Sequence, residues 1–80
     1  MSPKFRYSFH ARERLTERVV THSEVEDCVL NPSVTFRTKK GNNYRAVVNG
    51  RPLRVVVAED RDNDVEKFVV TVIVEDEDAT

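Results

Sequence analysis

The chain has 80 residues, 39% of them hydrophobic and 34% charged, with a formal net charge of −1. That is one small domain with a modest core, with no apolar run near the roughly 18 residues of a membrane span and no apolar leader in its opening Met-Ser-Pro-Lys-Phe-Arg. A lone Cys28 and two histidines exclude an internal disulfide and argue against zinc, so no metal or cofactor and a reducing, cytoplasmic setting are expected.

Phe5 and Tyr7 suit a short N-terminal strand. Ser8 is a good N-cap for a helix from Phe9 to about Val20. At about 100° per residue, Ala11, Leu15 and Val19 form its apolar stripe, and His10, Arg14 and Arg18 run along the edge of that stripe. Ser23 caps a second helix, with Glu26 three residues on completing a capping box. Its apolar stripe is Val25, Cys28 and Val29, and Asn31-Pro32 stops it.

The period then changes from 3.6 to 2. Val34 to Lys39 alternates, Gly41-Asn42-Asn43 turns the chain, and Tyr44 to Val48 is the next strand. Asn49-Gly50 is a hairpin signal, Leu53 to Ala58 the third strand, Asp60 to Asp64 a polar turn and Lys67 to Val74 the fourth strand. Asp60, Asp62 and Asp64 alternate like a calcium loop but lack its central glycine and closing glutamate, so calcium is not expected. Glu75 to Asp78 begins an acidic tail over residues 75–80, expected to be frayed and disordered. The reading is a single α+β domain over residues 1–80. Two N-terminal helices pack on one face of a four-stranded antiparallel meander, with the N-terminal segment available as a fifth strand.

Alternation divides the strands into two faces. Phe36, Tyr44, Ala46, Val48, Leu53, Val55, Val57, Phe68, Val70, Val72 and Val74 should meet the helices. Thr35, Arg37, Arg45, Val47, Arg54, Val56, Val69, Thr71 and Ile73 form the other face, which mixes arginines with aliphatics. The hairpin at Asn49-Gly50 keeps Arg45 and Arg54 on that face on neighbouring strands, where they repel unless an anion lies between them.

Charge is unevenly distributed. Residues 1–54 hold 11 Lys/Arg against 5 Asp/Glu, and residues 55–80 hold 2 against 9. A basic body with an acidic end suggests an anionic partner for the body. Arg14, Arg18, Arg45 and Arg54 are expected to converge on one positive surface, apart from the tail.

The order Phe9-His10-Ala11, Arg14 and Arg18, Asn31-Pro32, four strands and a closing Val70-Thr71-Val72 resembles a family of short bacterial domains with an HA-x-x-R helix. That family is similar to the RelE/ParE toxin-like fold, to which barnase-like and colicin-type ribonucleases also belong. The resemblance implies metal-independent RNA cleavage or RNA binding in a toxin–antitoxin pair, with an antitoxin-like protein as partner. In such cleavage the ribose 2′-hydroxyl attacks the neighbouring phosphate, helped by a base, an acid and cations. The resemblance carries catalytic roles to His10, Arg14 and Thr71, and Arg54, from the sheet face, joins them in the expected catalytic set. Arg18, beside the apolar stripe of the helix, and Arg37 and Arg45, on the sheet face, are the expected RNA contacts. The alternative is a non-catalytic protein-interaction module, docking an acidic chain or forming a homodimer through a strand edge.

Overall fold

The computed structural model describes residues 4–58 and 66–78. The turn expected between Asp60 and Asp64 lies outside the described residues. In chain order the elements are β1 (Lys4–Tyr7), α1 (Phe9–Arg18), α2 (His22–Leu30), β2 (Val34–Thr38), β3 (Gly41–Val48), β4 (Arg51–Val57), β5 (Glu66–Val74) and α3 (Glu75–Asp78). One sheet has the order β1-β5-β4-β3-β2. β2 to β5 form the expected antiparallel meander, but β1 adds to β5 in parallel, so the sheet is mixed. Alternation places a strand's faces; it says nothing of its partner or direction.

Ser8 caps α1 and ties it to the sheet. Its Oγ accepts from the Ala11 N–H at 3.0 Å and donates to the Val70 carbonyl at 2.7 Å. The helix stops at Arg18 because Val19 is left-handed, at φ 53°. A β-branched residue is strained there. Arg51 offsets this by donating to the carbonyls of Arg18 (2.8 Å) and Val19 (2.7 Å), which places a cation at the negative end of the helix. The reversal breaks the expected stripe: Val19 is 78% exposed and Val20 enters the core instead.

α2 starts two residues earlier than its sequence suggests. Thr21, not Ser23, is the cap, and Glu24, not Glu26, closes the box: the Thr21 N–H donates to Glu24 Oε1 at 2.9 Å and the Glu24 N–H to Thr21 Oγ1 at 3.1 Å. Both boxes are present in the sequence. Tertiary contact selects between them, because the Asn49 amide donates to Glu24 Oε2 at 2.8 Å and Arg51 lies at 3.4 Å from Oε1. These bonds, led by the Thr21 N–H, hold the Glu24 carboxyl below its usual range.

The Asn49-Gly50 hairpin forms as expected. Both residues have positive φ (51° and 79°), and Val48 faces Arg51 across a two-residue turn. The preceding turn differs. Thr38 faces Gly41, so Lys39-Lys40 turn the chain and Gly41 to Asn43 belong to β3. Gly41 serves close approach, since a Cβ there would collide with the Val57 carbonyl oxygen.

Moving that turn shifts the phase of β2. Phe36 pairs with Asn43 and Val34 with Arg45, while Thr35 and Arg37 pair with Tyr44 and Asn42. A β-bulge does the same to β5. Val56 pairs with Thr71 but Val57 with Val69, leaving Val70 as the extra residue. Val69 is therefore fully buried and Phe68 is exposed. Leu15, Val25, Val29 and Val55 occupy the core as expected; Phe36, Phe68 and Val70 do not, for these two reasons. Both helices pack on the face of Val48, Leu53, Val55, Val69, Val72 and Val74.

Candidate functional site

The opposite face is read off the ladder register. One row across it is Val34, Arg45, Arg54 and Ile73, and the next is Phe36, Asn43, Val56 and Thr71. Arg45 and Arg54 are direct cross-strand partners. Two guanidiniums so placed need a counter-ion, and the chain supplies one. Glu75 Oε1 lies 2.8 Å from Arg45 Nε, and Glu75 Oε2 lies 3.5 Å from Arg54 Nε. Of the acidic end expected to be frayed over residues 75–80, residues 79–80 lie outside the described residues; Glu75–Asp78 is helical and continues the parity of Thr71 and Ile73, which brings Glu75 onto this face.

Arg54 is also held from its other side. Its Nη1 donates to Asn43 Oδ1 at 2.7 Å. The Asn43 amide nitrogen donates to Thr38 Oγ1 at 3.0 Å and to the Gly41 carbonyl at 3.2 Å, and Asn43 is fully buried. A buried amide with both ends satisfied is a rigid support, so it fixes the guanidinium independently of Glu75. Beside the pair lies a cleft of about 190 Å³, lined by Val34, Arg45, Val47, Pro52 and Glu75 among others. Phe36 and Phe68 are 39% and 40% exposed on the same face.

The expected site residues fall into two groups. Arg45, Arg54 and Thr71 share the open face, Thr71 being buried there opposite Val56. His10, Arg14 and Arg18 stand on α1, in the helix layer behind the sheet. His10 is exposed, and Arg14 pairs with Glu17 at 3.5 Å. Arg37, by its register with Asn42, also turns away from Arg45. The four arginines expected on one surface therefore do not share one, because α1 docks through Ala11 and Leu15 on the far side. Nor is the acidic segment apart from the sheet pair.

Sequence reasoning passed over Asn43, Arg51 and Glu75. The available signal was parity: Asn43 is in phase with Arg45, and Glu75 with Thr71 and Ile73. Cys28 is a core residue, donating from Sγ to the Tyr44 carbonyl at 3.4 Å, and burial pushes its thiol up to about 11. Tyr7 stacks on His22 with ring centroids 4.5 Å apart, and burial, then Glu26, pushes its hydroxyl up to about 12. A depression of about 470 Å³ lies at the α1–α2 junction among Arg12, Leu15, Val19 and His22, away from the arginine pair. Among the described residues no group of three His, Cys, Asp or Glu side chains could hold a metal ion, and no helix is long and apolar enough to cross a membrane.

No curated protein and no solved structure matches the chain. A family model described as "Domain of unknown function (DUF4258)" matches residues 7–74, from the end of β1 to the end of β5. That description names neither a RelE/ParE-type fold nor an activity. The matched span takes in the two helices, the four-strand meander, and both Arg45 and Arg54, and on it the chain belongs to the DUF4258 family.

Proposed function

We propose that this domain binds single-stranded RNA across the open face of its sheet, as a toxin-like domain of the kind that the RelE/ParE resemblance implies. The observation that carries the reading is the Arg45–Arg54 pair on one sheet face with exposed Phe36 and Phe68. Guanidiniums take phosphates through paired hydrogen bonds, and aromatic side chains on a sheet take unstacked bases on their faces. Arg54 comes pre-oriented by Asn43. The choice of RNA over DNA rests on the resemblance alone. An antitoxin-like protein that masks this face is the partner the reading calls for.

Binding is supported better than cleavage. Cleavage needs a proton donor or acceptor at the phosphate, and His10 stands in the other layer. The test is fluorescence anisotropy of a labelled oligouridine. Wild-type protein should bind, and Arg54→Ala and Phe36→Ala should weaken binding. The same RNA incubated with the protein in EDTA and run on a gel reports metal-independent cutting directly. Absence of binding to any single-stranded RNA at low salt sinks the reading.

The same face suits a second reading, a non-catalytic module that docks an acidic protein segment. Glu75 demonstrates that a carboxylate seats between the two arginines, and Val34 and Val47 are 51% and 70% exposed beside it. An acidic peptide that binds where oligouridine does not would select this alternative.

A further inference from the structure

We propose that the acidic C-terminal segment is a reversible plug: Glu75 occupies in cis the seat that Arg45 and Arg54 offer to a phosphate, and the site opens when α3 lifts away. The inference rests on the reading of the open face as an anion-binding surface and adds to it how that surface is regulated.

Three observations support it. The Glu75 carboxylate spans both guanidiniums, one oxygen to each, as a bridging phosphate would. The seat is built without the plug, because Arg54 is oriented by the buried Asn43 amide and both arginines are fixed by strand register. The plug is light: α3 has four residues, and its ion pairs are partly open to solvent, with Arg45 48% and Glu75 25% exposed. Ion pairs this exposed hold weakly.

A tethered carboxylate has a high local concentration, of the order of millimolar for a short link. It excludes a stray monovalent anion but yields to a polyanion that makes several contacts at once. The chain is arranged for this contest, with 11 basic against 5 acidic residues up to Arg54 and 2 against 9 beyond it. Affinity for RNA is then reduced by the fraction of time that the seat is open.

The test compares wild type with Glu75→Gln, which keeps the side chain's size and its hydrogen-bonding oxygen, and with Glu75→Gln/Arg54→Ala. Two readouts are used on folded protein, checked by its melting curve: anisotropy with labelled oligouridine, and NMR of the arginine Nε–H resonances during titration with inorganic phosphate. If the seat is closed about nine-tenths of the time, Glu75→Gln should bind oligouridine about tenfold more tightly than wild type. Phosphate should shift the Arg45 and Arg54 resonances in Glu75→Gln far below the concentration wild type needs, and the double variant should lose both gains. Equal oligouridine affinity in wild type and Glu75→Gln overturns the plug while leaving the RNA reading standing. Phosphate binding at Arg54 in Glu75→Gln without oligouridine binding upholds the plug and removes the RNA reading. No response to either probe in Glu75→Gln removes both, and leaves Glu75 as a structural tie.

Discussion

Asn43 Oδ1 accepts the Arg54 guanidinium at 2.7 Å from inside the fold, where Asn43 has no exposed surface at all. A surface cation is thus positioned by a core amide, itself fixed by Thr38 and the Gly41 carbonyl. Asn43→Ala removes the whole chain of support. It leaves the Thr38 hydroxyl and one Arg54 donor without that partner, at an expected cost of about 1–3 kcal/mol in urea unfolding. A cost below a few tenths would show that the network is slack.

The two layers give opposite expectations for RNA binding. Each arginine that meets a phosphate contributes roughly 0.7 to the slope of log affinity against log salt for a single strand. Arg45→Ala and Arg54→Ala should each flatten the slope by about that amount. Arg37→Ala, facing the other way, and His10→Ala, on α1, should leave it unchanged. Anisotropy titrations over a salt series decide this, and a flattened slope for His10→Ala would place the RNA on the helix layer.

Backbone strain is concentrated at two positions with opposite remedies. Val19 holds a left-handed conformation with its side chain 78% exposed, so Val19→Gly relieves strain and gives up little burial. It should stabilise the domain by about 1 kcal/mol. Gly41→Ala should destabilise by more than about 1–3 kcal/mol, since φ is 139° and the new Cβ meets the Val57 carbonyl. Thermal melts of the two variants should therefore move in opposite directions.

Val55 is fully buried at the centre of the core. Val55→Asp introduces an unpaired buried charge costing several kcal/mol, against a total stability of about 5–15 kcal/mol. The expected outcome is an unfolded chain by circular dichroism. An unchanged melting temperature would contradict the assignment of β4 to the core face.

Alkaline pH should weaken the fold. Burial raises the Cys28 thiol from 9.0 to about 11 and the Tyr7 hydroxyl from 10.0 to about 12. Both groups are kept neutral in the folded state, so the unfolded chain loses their protons first. Their contribution is fully present below about pH 9 and is lost as pH rises through the window to about 12. Urea midpoints measured from pH 8 upward should fall across that window. Cys28→Ala should remove the part of the decline between about 9 and 11, at its own cost in packing.

Much of the fold is legible in the sequence because hydrophobic period and turn chemistry are local. Ser8, the Asn49-Gly50 hairpin and the Ala11, Leu15, Val25 and Val29 core positions all follow from neighbours a few residues away. The failures are non-local. Thr21 and Ser23 offer equivalent capping boxes, and only Asn49 and Arg51, from the other side of the fold, choose between them. Gly41 reads as a turn residue until Val57 is seen to press against it. Of the candidate site, the Arg45–Arg54 pair follows from hairpin arithmetic. The separation of His10, Arg14 and Arg18 from it depends on which face α1 docks against, and a helical wheel does not contain that information. Glu75 was hidden by its setting in an acidic run that resembles a solvated tail.

The extra residue at Val70 inverts the frame in which β5 is read. Before it, even-numbered positions such as Phe68 face outward; after it, even-numbered positions such as Val72 and Val74 face inward. The carbonyl released at that break is the one that takes the Ser8 hydroxyl. Chain length is therefore gauged at position 70. Deleting that residue would restore an unbroken alternation with Phe68 still outward and Val69 still inward, but it would withdraw the acceptor on which the first helix is moored. One extra residue thus sets both the facing of β5 and the mooring of α1, although its side chain carries no chemistry.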